Sequence, residues 1–313
     1  RRNIFNPKFW WLVKEILRFN KLCKKSYQAK NYDESSTLGE FLQKNDFGYY
    51  FAEHYILPMG AAIWSRSLVQ MQDFQFHFFV KLLNIADRPQ WYVVPGGSRS
   101  YLAPLCEPFV DNIHLNADIK KITRENNQVQ LCFANGEVQT FDEVVIACHS
   151  DQALALLGDA SQHEQEILGA IPYSENSVVL HTDINLLPKR KKAWASWNYQ
   201  LSANRAKPAS VTYNMNILQG LNSSHTFCVT LNQREDIEPS KILREFIYHH
   251  PVFSTDSINA QQQRLAICGQ QHTHFAGAYW YSGFHEDGVR SAVDVAQRFD
   301  CYLQQSGPSQ NNG

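Results

Sequence analysis

The closing quarter of the chain most narrows the folds open to it. Thr273-His274-Phe275-Ala276-Gly277-Ala278 is a β-prone, largely apolar run of the kind buried within a sheet. A turn-rich stretch from Tyr279 to Gly288 follows, with Gly283 and Gly288 in it. Val289, Ala292, Val293, Ala296 and Phe299 then recur at helical spacing, which predicts a helix over 289–303. Asp287 suits the N-cap, and Gly288 lets backbone approach a ligand closely. The N–H groups of a helix start there would stabilise a negatively charged group held in the loop. A strand–loop–helix crossover with incidental glycines accounts for the same segment.

A second continuous apolar run, Val144-Val145-Ile146-Ala147-Cys148, also reads as a strand covered on both faces. Ahead of it lie Ile113-His114-Leu115, Ile119 to Thr123 and Val129 to Phe133 as strands, with Asn126-Asn127 as a turn. Asn135-Gly136 then closes a hairpin onto Glu137 to Phe141. Residues 1–91 read as mostly helical, with Thr37-Leu38-Gly39-Glu40 as a capping box, a polar break at 33–36 and Pro89 as a stop. Trp91 to Gly97 is a β-prone run ending in a turn, and Ser98 to Phe109 reads as a helix. Four β-rich runs (177–182, 193–201, 209–217 and 226–232) predict an antiparallel sheet, and Pro239 to His250 reads as a helix. A disordered tail is expected over 305–313.

The chain has 313 residues, 44% of them hydrophobic and 19% charged, enough for two domains with full cores. Its apolar runs are too short to span a bilayer. A net charge of −1 implies no nucleic acid or other polyanionic partner. That total hides an asymmetry: residues 1–30 carry nine Lys or Arg against the single acid Glu15. Within them Phe9, Leu12, Val13, Ile16, Phe19 and Cys23 recur at helical spacing, so an amphipathic helix is expected. It either packs on its own domain with a solvated basic face or makes peripheral membrane contact. The seven cysteines contain no C-x-x-C pair, which fits reduced thiols in a cytoplasmic setting. His272 and His274 lack ligand-spaced partners, so no metal site is expected.

Four pieces of sequence carry a resemblance, in order: Val94-Pro95-Gly96-Gly97-Ser98; the strand–hairpin–strand from Ile113 to Phe141 with Asn116-Ala117-Asp118-Ile119; Asp142-Glu143-Val144-Val145-Ile146-Ala147; and Phe275 to Trp280 through Gly283-Phe284-His285-Glu286-Asp287-Gly288-Val289. With these the chain resembles the flavin-containing amine oxidase superfamily, in its branch of predicted FAD/NAD-binding oxidoreductases. The resemblance extends over essentially the whole chain. It implies an α/β fold: a truncated FAD-binding Rossmann-like domain (92–150 and 268–304) with a mixed substrate domain of helices (1–91) and antiparallel sheet (151–267). No G-x-G-x-x-G occurs in these residues. The chain therefore looks like a family member missing its first βαβ unit, the usual pyrophosphate anchor, and weak FAD retention is expected of it.

The resemblance implies FAD contacts residue by residue. Ile119 would offer backbone groups to the adenine. Ala147 and Cys148 would lie beside the dinucleotide, and Gly277 and Ala278 would approach the pyrophosphate and ribityl chain. Gly288 and Val289 would face the flavin pyrimidine end, with Phe284 and His285 lining the flavin. No lysine near flavin N5 and no catalytic residue can be matched. His285-Glu286 either shuttles protons or is a solvated pair, and Cys148 is a covalent flavin link or a small strand-end residue. Trp194, Trp197 and Tyr199 either wall a substrate cavity or pack as a sheet face. The implied function is FAD-dependent removal of hydride from a C–N or C–C bond of a small or lipidic substrate. The alternatives are an acyl-lipid oxidoreductase at a membrane surface and a non-catalytic remnant.

Overall fold

The computed structural model describes residues 5–29, 36–64, 66–83, 92–200 and 210–303. Pro89, Trp91, most of the polar break at 33–36 and the tail over 305–313 lie outside the described residues. In chain order the helices begin with α1 (Pro7–Gln28), α2 (Leu38–Lys44) and α3 (Tyr49–Phe51). The last runs through a π-helical turn (Ala52–Ile56) into α4 (Leu57–Trp64), and α5 (Phe76–Leu83) and α6 (Leu102–Cys106) follow. Next come β1 (Ile119–Glu125), β2 (Gln128–Phe133), β3 (Val138–Phe141), β4 (Val144–Ile146), α7 (Ser150–Leu156) and α8 (Gln162–Gly169). The remainder comprises β5 (Tyr173–His181), β6 (Trp197–Gln200), β7 (Ser210–Asn214), α9 (Met215–Gln219), β8 (Cys228–Leu231), β9 (Ile242–Pro251), α10 (Thr255–Gln262), β10 (Thr273–Phe275) and α11 (His285–Ala296). None of the described helices is long and apolar enough to cross a membrane, and all seven cysteines are free.

The chain divides into two compact units: Arg1–Ile113 with Ser174–His250, and His114–Tyr173 with Pro251–Gly313. These bounds differ from those read off the sequence. Residues 151–173 and 251–267 join the second unit because Ala153, Leu157, Ile167, Leu168, Ile171, Ala260 and Ile267 share one apolar core with Ile146 and Phe275. Residues 92–113 lie with the first.

In the first unit, α1 starts at Asn6, whose side chain accepts the Lys8 N–H, with Pro7 at the first helical position. It buries Glu15, Phe19 and Cys23. Phe19 is fully buried, and its ring lies 5.5–6.5 Å from those of Phe41, Phe47, Phe51, Phe76 and Phe79. The expected capping box at α2 is present, with Thr37 and Glu40 each accepting the other's N–H. Among the described residues the sheet runs in the order β6-β7-β8-β5-β9. The β6–β7, β7–β8 and β5–β8 pairs are antiparallel.

Three expectations fail here. Residues 242–251 form strand β9 rather than a helix: Thr182 donates to the Lys241 carbonyl near one end of β5, and Asn176 bonds His250 near the other. The apolar residues Ile242, Leu243, Phe246 and Ile247 fit a helical period, but pairing with β5 overrides it. Ile113-His114-Leu115 is not a strand, since the chain turns at 115–116 with Asn116 at φ +56°. The stretch 98–109 is a short 3₁₀ turn, α6 and another 3₁₀ turn, broken where Pro104 and Pro108 lack N–H donors.

In the second unit, β1-β2-β3 form an antiparallel meander. Asn126 and Asn127 both take positive φ in the first turn and Gly136 does so in the second, as tight hairpins require. β4 and β10 pair in parallel, with Thr273 opposite Val144 and Phe275 opposite Ile146. Arg124 on β1 makes a two-pronged bond to the buried Glu164 of α8, at 2.9 and 2.7 Å. Asp159 accepts the Arg124 backbone N–H at 2.7 Å.

Candidate functional site

In the second unit, the carboxyl ends of β4 and β10 form one edge, where α/β sheets bind their ligands. The Ala276 N–H donates to the Ile146 carbonyl at 3.1 Å, so the parallel ladder continues past β10. This places Ala147 and Cys148 beside Ala276 and Gly277. The Gly277 N–H turns instead to Ser291 Oγ at 2.8 Å, and that hydroxyl donates to the Gly288 carbonyl at 2.7 Å. Ser291, with no exposed surface, thus ties the strand end to the first turns of α11. Arg264 adds a second tie, donating to the carbonyls of Phe275 and Ser291 at 3.0 and 2.9 Å and to Asp294 at 2.7 Å. Neither residue stands out in the sequence, because the strand and helix partners that make it a tie lie 11 to 30 positions away, Gly288 alone being near.

Helix α11 starts four residues earlier than the sequence suggests. Phe284 is its cap, and Asp287 and Gly288 both donate their N–H groups back to the Phe284 carbonyl. The Asp287 carboxylate works from inside the first turn, accepting the N–H groups of Ser282 and Phe284 at 3.1 and 2.9 Å. Gly288 is therefore a helical residue, not the helix start, and its N–H is occupied. Its open side still matters. A Cβ built there meets nothing nearer than Ala278, at 4.0 Å, so Gly288 and Ala278 flank one open space.

Of the nine residues the resemblance nominated, the structure brings Ala147, Cys148, Gly277, Ala278 and Gly288 together at this edge. Phe284, His285 and Val289 are exposed on the adjoining first turn of α11. Ile119 sits apart on β1, half-buried against the same core. Burial raises the Cys148 thiol above its ordinary value, so it is not an activated nucleophile. The Tyr279 hydroxyl and the Trp280 indole N–H are buried here without a protein partner, and burial raises the Tyr279 phenol far above its usual range. Small residues at the ends of a parallel pair, open space at Gly288 and unpartnered buried polar atoms fit one side of an extended dinucleotide such as FAD.

At the opposite, amino end of the pair, Glu143 receives His272 Nδ1 at 3.0 Å and His274 Nε2 at 3.2 Å. The sequence hid this carboxylate, which lies 129 and 131 positions from its partners. Among the described residues no group of three His, Cys, Asp or Glu is placed to hold a metal.

The first unit contains a cavity of about 410 Å³. One wall is the π turn and α4, through His54, Tyr55, Pro58, Met59, Ala62 and Ile63. The other is sheet, through Trp197 and Tyr199 on β6 and Val211 on β7. A π turn adds a residue to the helical circuit and is often found at functional sites. Here it carries His54 and Tyr55. The His54 ring stacks on Tyr50 at 4.2 Å, and its Nδ1 lies 3.1 Å from the Tyr50 carbonyl. Burial, reinforced by the Glu53 carboxylate, raises the Tyr199 phenol above its ordinary value. Trp197 and Tyr199 line this cavity. Trp194 does not: its indole donates to the Pro188 carbonyl at 2.8 Å.

The family model described as flavin containing amine oxidoreductase matches residues 13–195. No curated protein matches the chain. Among solved structures, the CLA-producing fatty acid isomerase from P. acnes superposes with a TM-score of 0.65 at 14% identity, over 95% of this chain and 76% of that one. Putrescine oxidase bound to putrescine gives 0.64 at 10%, over 92% and 75%. Cyclohexylamine oxidase from Brevibacterium oxydans gives 0.57 at 12%, over 95% and 76%. At these identities the likeness is one of fold.

Proposed function

This chain belongs to the flavin-containing amine oxidoreductase family, and from that premise we propose that it oxidises an apolar substrate held in the cavity of its first unit. FAD, the family's cofactor, would supply the redox chemistry when bound, accepting a hydride from a substrate C–H as that carbon's bond to N or C becomes double and the neighbouring atom gives up a proton. The protein's part is to bind, orient and exclude water. Ala147, Cys148, Gly277 and Ala278 would hold the dinucleotide along small side chains and backbone, with Gly288 leaving room beside them. Ser291 and Arg264 keep that edge rigid, since each bridges the strand end to α11. Ile119, Phe284, His285 and Val289 are the further contacts that the family resemblance nominates.

The observation that carries the substrate class is the cavity lining, which among the described residues has no carboxylate, lysine or arginine. A diamine would leave an ammonium group buried without a partner there, at a high cost. An apolar amine meets aromatic walls at Trp197 and Tyr199. The same lining favours a second reading, an acyl chain, because Met59, Ile63 and Val211 present only hydrocarbon and thioether; one protein of similar fold is a fatty acid isomerase.

Anaerobic titration of the FAD-loaded protein with cyclohexylamine, putrescine and an unsaturated fatty acid tests the proposal. Bleaching of the flavin band by cyclohexylamine or the fatty acid, slowed about tenfold or more by Trp197→Ala, is the expected result. Preferential reduction by putrescine, or no effect of Trp197→Ala, would overturn it.

A further inference from the structure

The outer face of α1 combines exposed aromatic, aliphatic and basic side chains. Viewed down the helix, Trp10, Lys14, Leu17, Lys21, Lys24, Lys25 and Gln28 fall on the side opposite the buried Phe19, and every one of them is exposed. Trp10 is 53% exposed and Leu17 64%. The only acid in the helix, Glu15, is buried and pairs with Arg18 at 2.8 Å. Arg18 itself is drawn inward, donating to the carbonyls of Asn45 and Asp46 and lying 3.9 Å over the Phe47 ring. The outward charge of α1 is therefore positive only, carried by five exposed lysines (8, 14, 21, 24 and 25).

At its amino end the strip widens into an aromatic groove of about 450 Å³, lined by Pro7, Lys8, Trp11 and Tyr50. Phe5 and Tyr49, exposed at 89% and 73%, belong to the same unit. Aromatic rings interspersed with lysines, and no exposed acid on the helix, are the composition that lies in a headgroup region. There rings reach the acyl boundary while ammonium groups meet lipid phosphates. A protein partner matched to this face would have to be both acidic and greasy. A bilayer bearing anionic lipid offers both properties at once.

We infer that the α1 face docks this protein on an anionic membrane surface. The groove and the cavity share one helical segment, since Tyr50 lines the first and its stacking partner His54 lines the second. Docking thus sets the segment that walls the cavity against lipid. The binding itself does not rest on the proposed oxidation, and its test contains no turnover.

The test is flotation of the intact chain with phosphatidylcholine vesicles, with and without about 30% phosphatidylglycerol, in about 0.1 M salt. Binding is expected only to the anionic vesicles, with a blue shift of tryptophan emission, and is lost near 1 M salt as charges are screened. Replacing Lys14, Lys21 and Lys24 with Gln, all at exposed helical positions, should weaken partitioning on the order of 100-fold. Trp10→Ala should weaken it less and remove part of the blue shift. Neutralising the exposed basic loop at Lys189 and Lys192 should change little. Circular dichroism confirms that each variant is folded. Equal binding to neutral vesicles, equal losses from the loop and helix variants, or a concentration-dependent dimer in place of vesicle binding would overturn the inference.

Discussion

Phe19 in the first unit and Arg124 in the second are buried anchors of two different kinds, one apolar and one ionic, the second set beside its unit's own apolar core. Phe19 is surrounded by five phenylalanine rings, a contact that is large and weakly directional. Arg124, only 4% exposed along its side chain, is fixed by the geometry of two carboxylates. The first arrangement tolerates adjustment of α1 and α3 around the shared rings. The second locks β1 to α8 and so stiffens the unit whose strand ends form the proposed cofactor edge. Adaptable packing would suit the proposed substrate side, and directional bonding the proposed cofactor side.

Breaking each anchor should have the largest effects. Phe19→Ala should cost about 3–5 kcal/mol through the cavity it leaves. Arg124→Ala should cost a similar amount, about 3–5 kcal/mol, by stranding the buried Glu164 carboxylate. Hydrogen exchange sharpens the comparison: each variant should lose protection first in its own unit. Equal loss across both units would show that they unfold as one body.

The next effect is smaller and confined to a turn. Gly136 closes the β2–β3 hairpin at φ +84° with nothing within 4 Å of a built Cβ. Gly136→Val should cost about 1–2 kcal/mol in backbone strain alone, measured by chemical denaturation, and leave FAD affinity unchanged. No loss of stability would mean that the hairpin relaxes around the new residue.

That hairpin also shows what the sequence made readable. Asn135-Gly136, Asn126-Asn127, the Thr37–Glu40 cap and the apolar run at 144–148 are local signals, each fixed by residues within a few positions of one another. The runs at 144–148 and 273–278 read as buried strands, and the family resemblance put both in one domain, where the structure pairs them in parallel. What stayed hidden was non-local. Ser291 and Arg264 have no motif, and the Glu143 carboxylate shared by His272 and His274 depends on strand pairing. Strand β9 was misread because Ile242, Leu243, Phe246 and Ile247 carry a helical period that only the neighbouring β5 overrides. The start of α11 was misplaced because Asp287 caps from within the helix rather than from its end.

A pH-dependent difference is expected in the first unit. Burial pushes the His181 imidazole below its ordinary value of 6.5, partly opposed by the Asp183 carboxylate. Its Nδ1 accepts the Asp183 N–H at 3.1 Å, so the neutral ring donates from Nε2 to Thr230 Oγ1 at 2.7 Å. The unfolded ring takes up its proton first as pH falls. Stability is therefore complete above about pH 6.5 and declines as pH drops toward the lowered folded value. His274 in the second unit is shifted the same way, by burial against an opposing Glu143. Melting temperatures of the parent and of His181→Gln between about pH 7.5 and 5 separate the two. The variant should lose the first unit's share of the decline and keep the second's. Identical slopes would mean that His181 titrates as it does in the unfolded chain.

The smallest expected change in stability belongs to Gly288→Val, and it tests the cofactor edge most directly. Gly288 is helical, and a Cβ there clears its nearest neighbour, Ala278, by 4.0 Å, so the fold should accept valine with no loss of stability. The branched side chain would fill the open space between Ala278 and α11 that is assigned here to FAD. FAD titration of the parent and the variant, followed by flavin fluorescence with melting temperature as the folding control, should show at least about a tenfold loss of affinity at unchanged melting temperature. Equal affinity in a folded variant would contradict the placement of the cofactor at this edge.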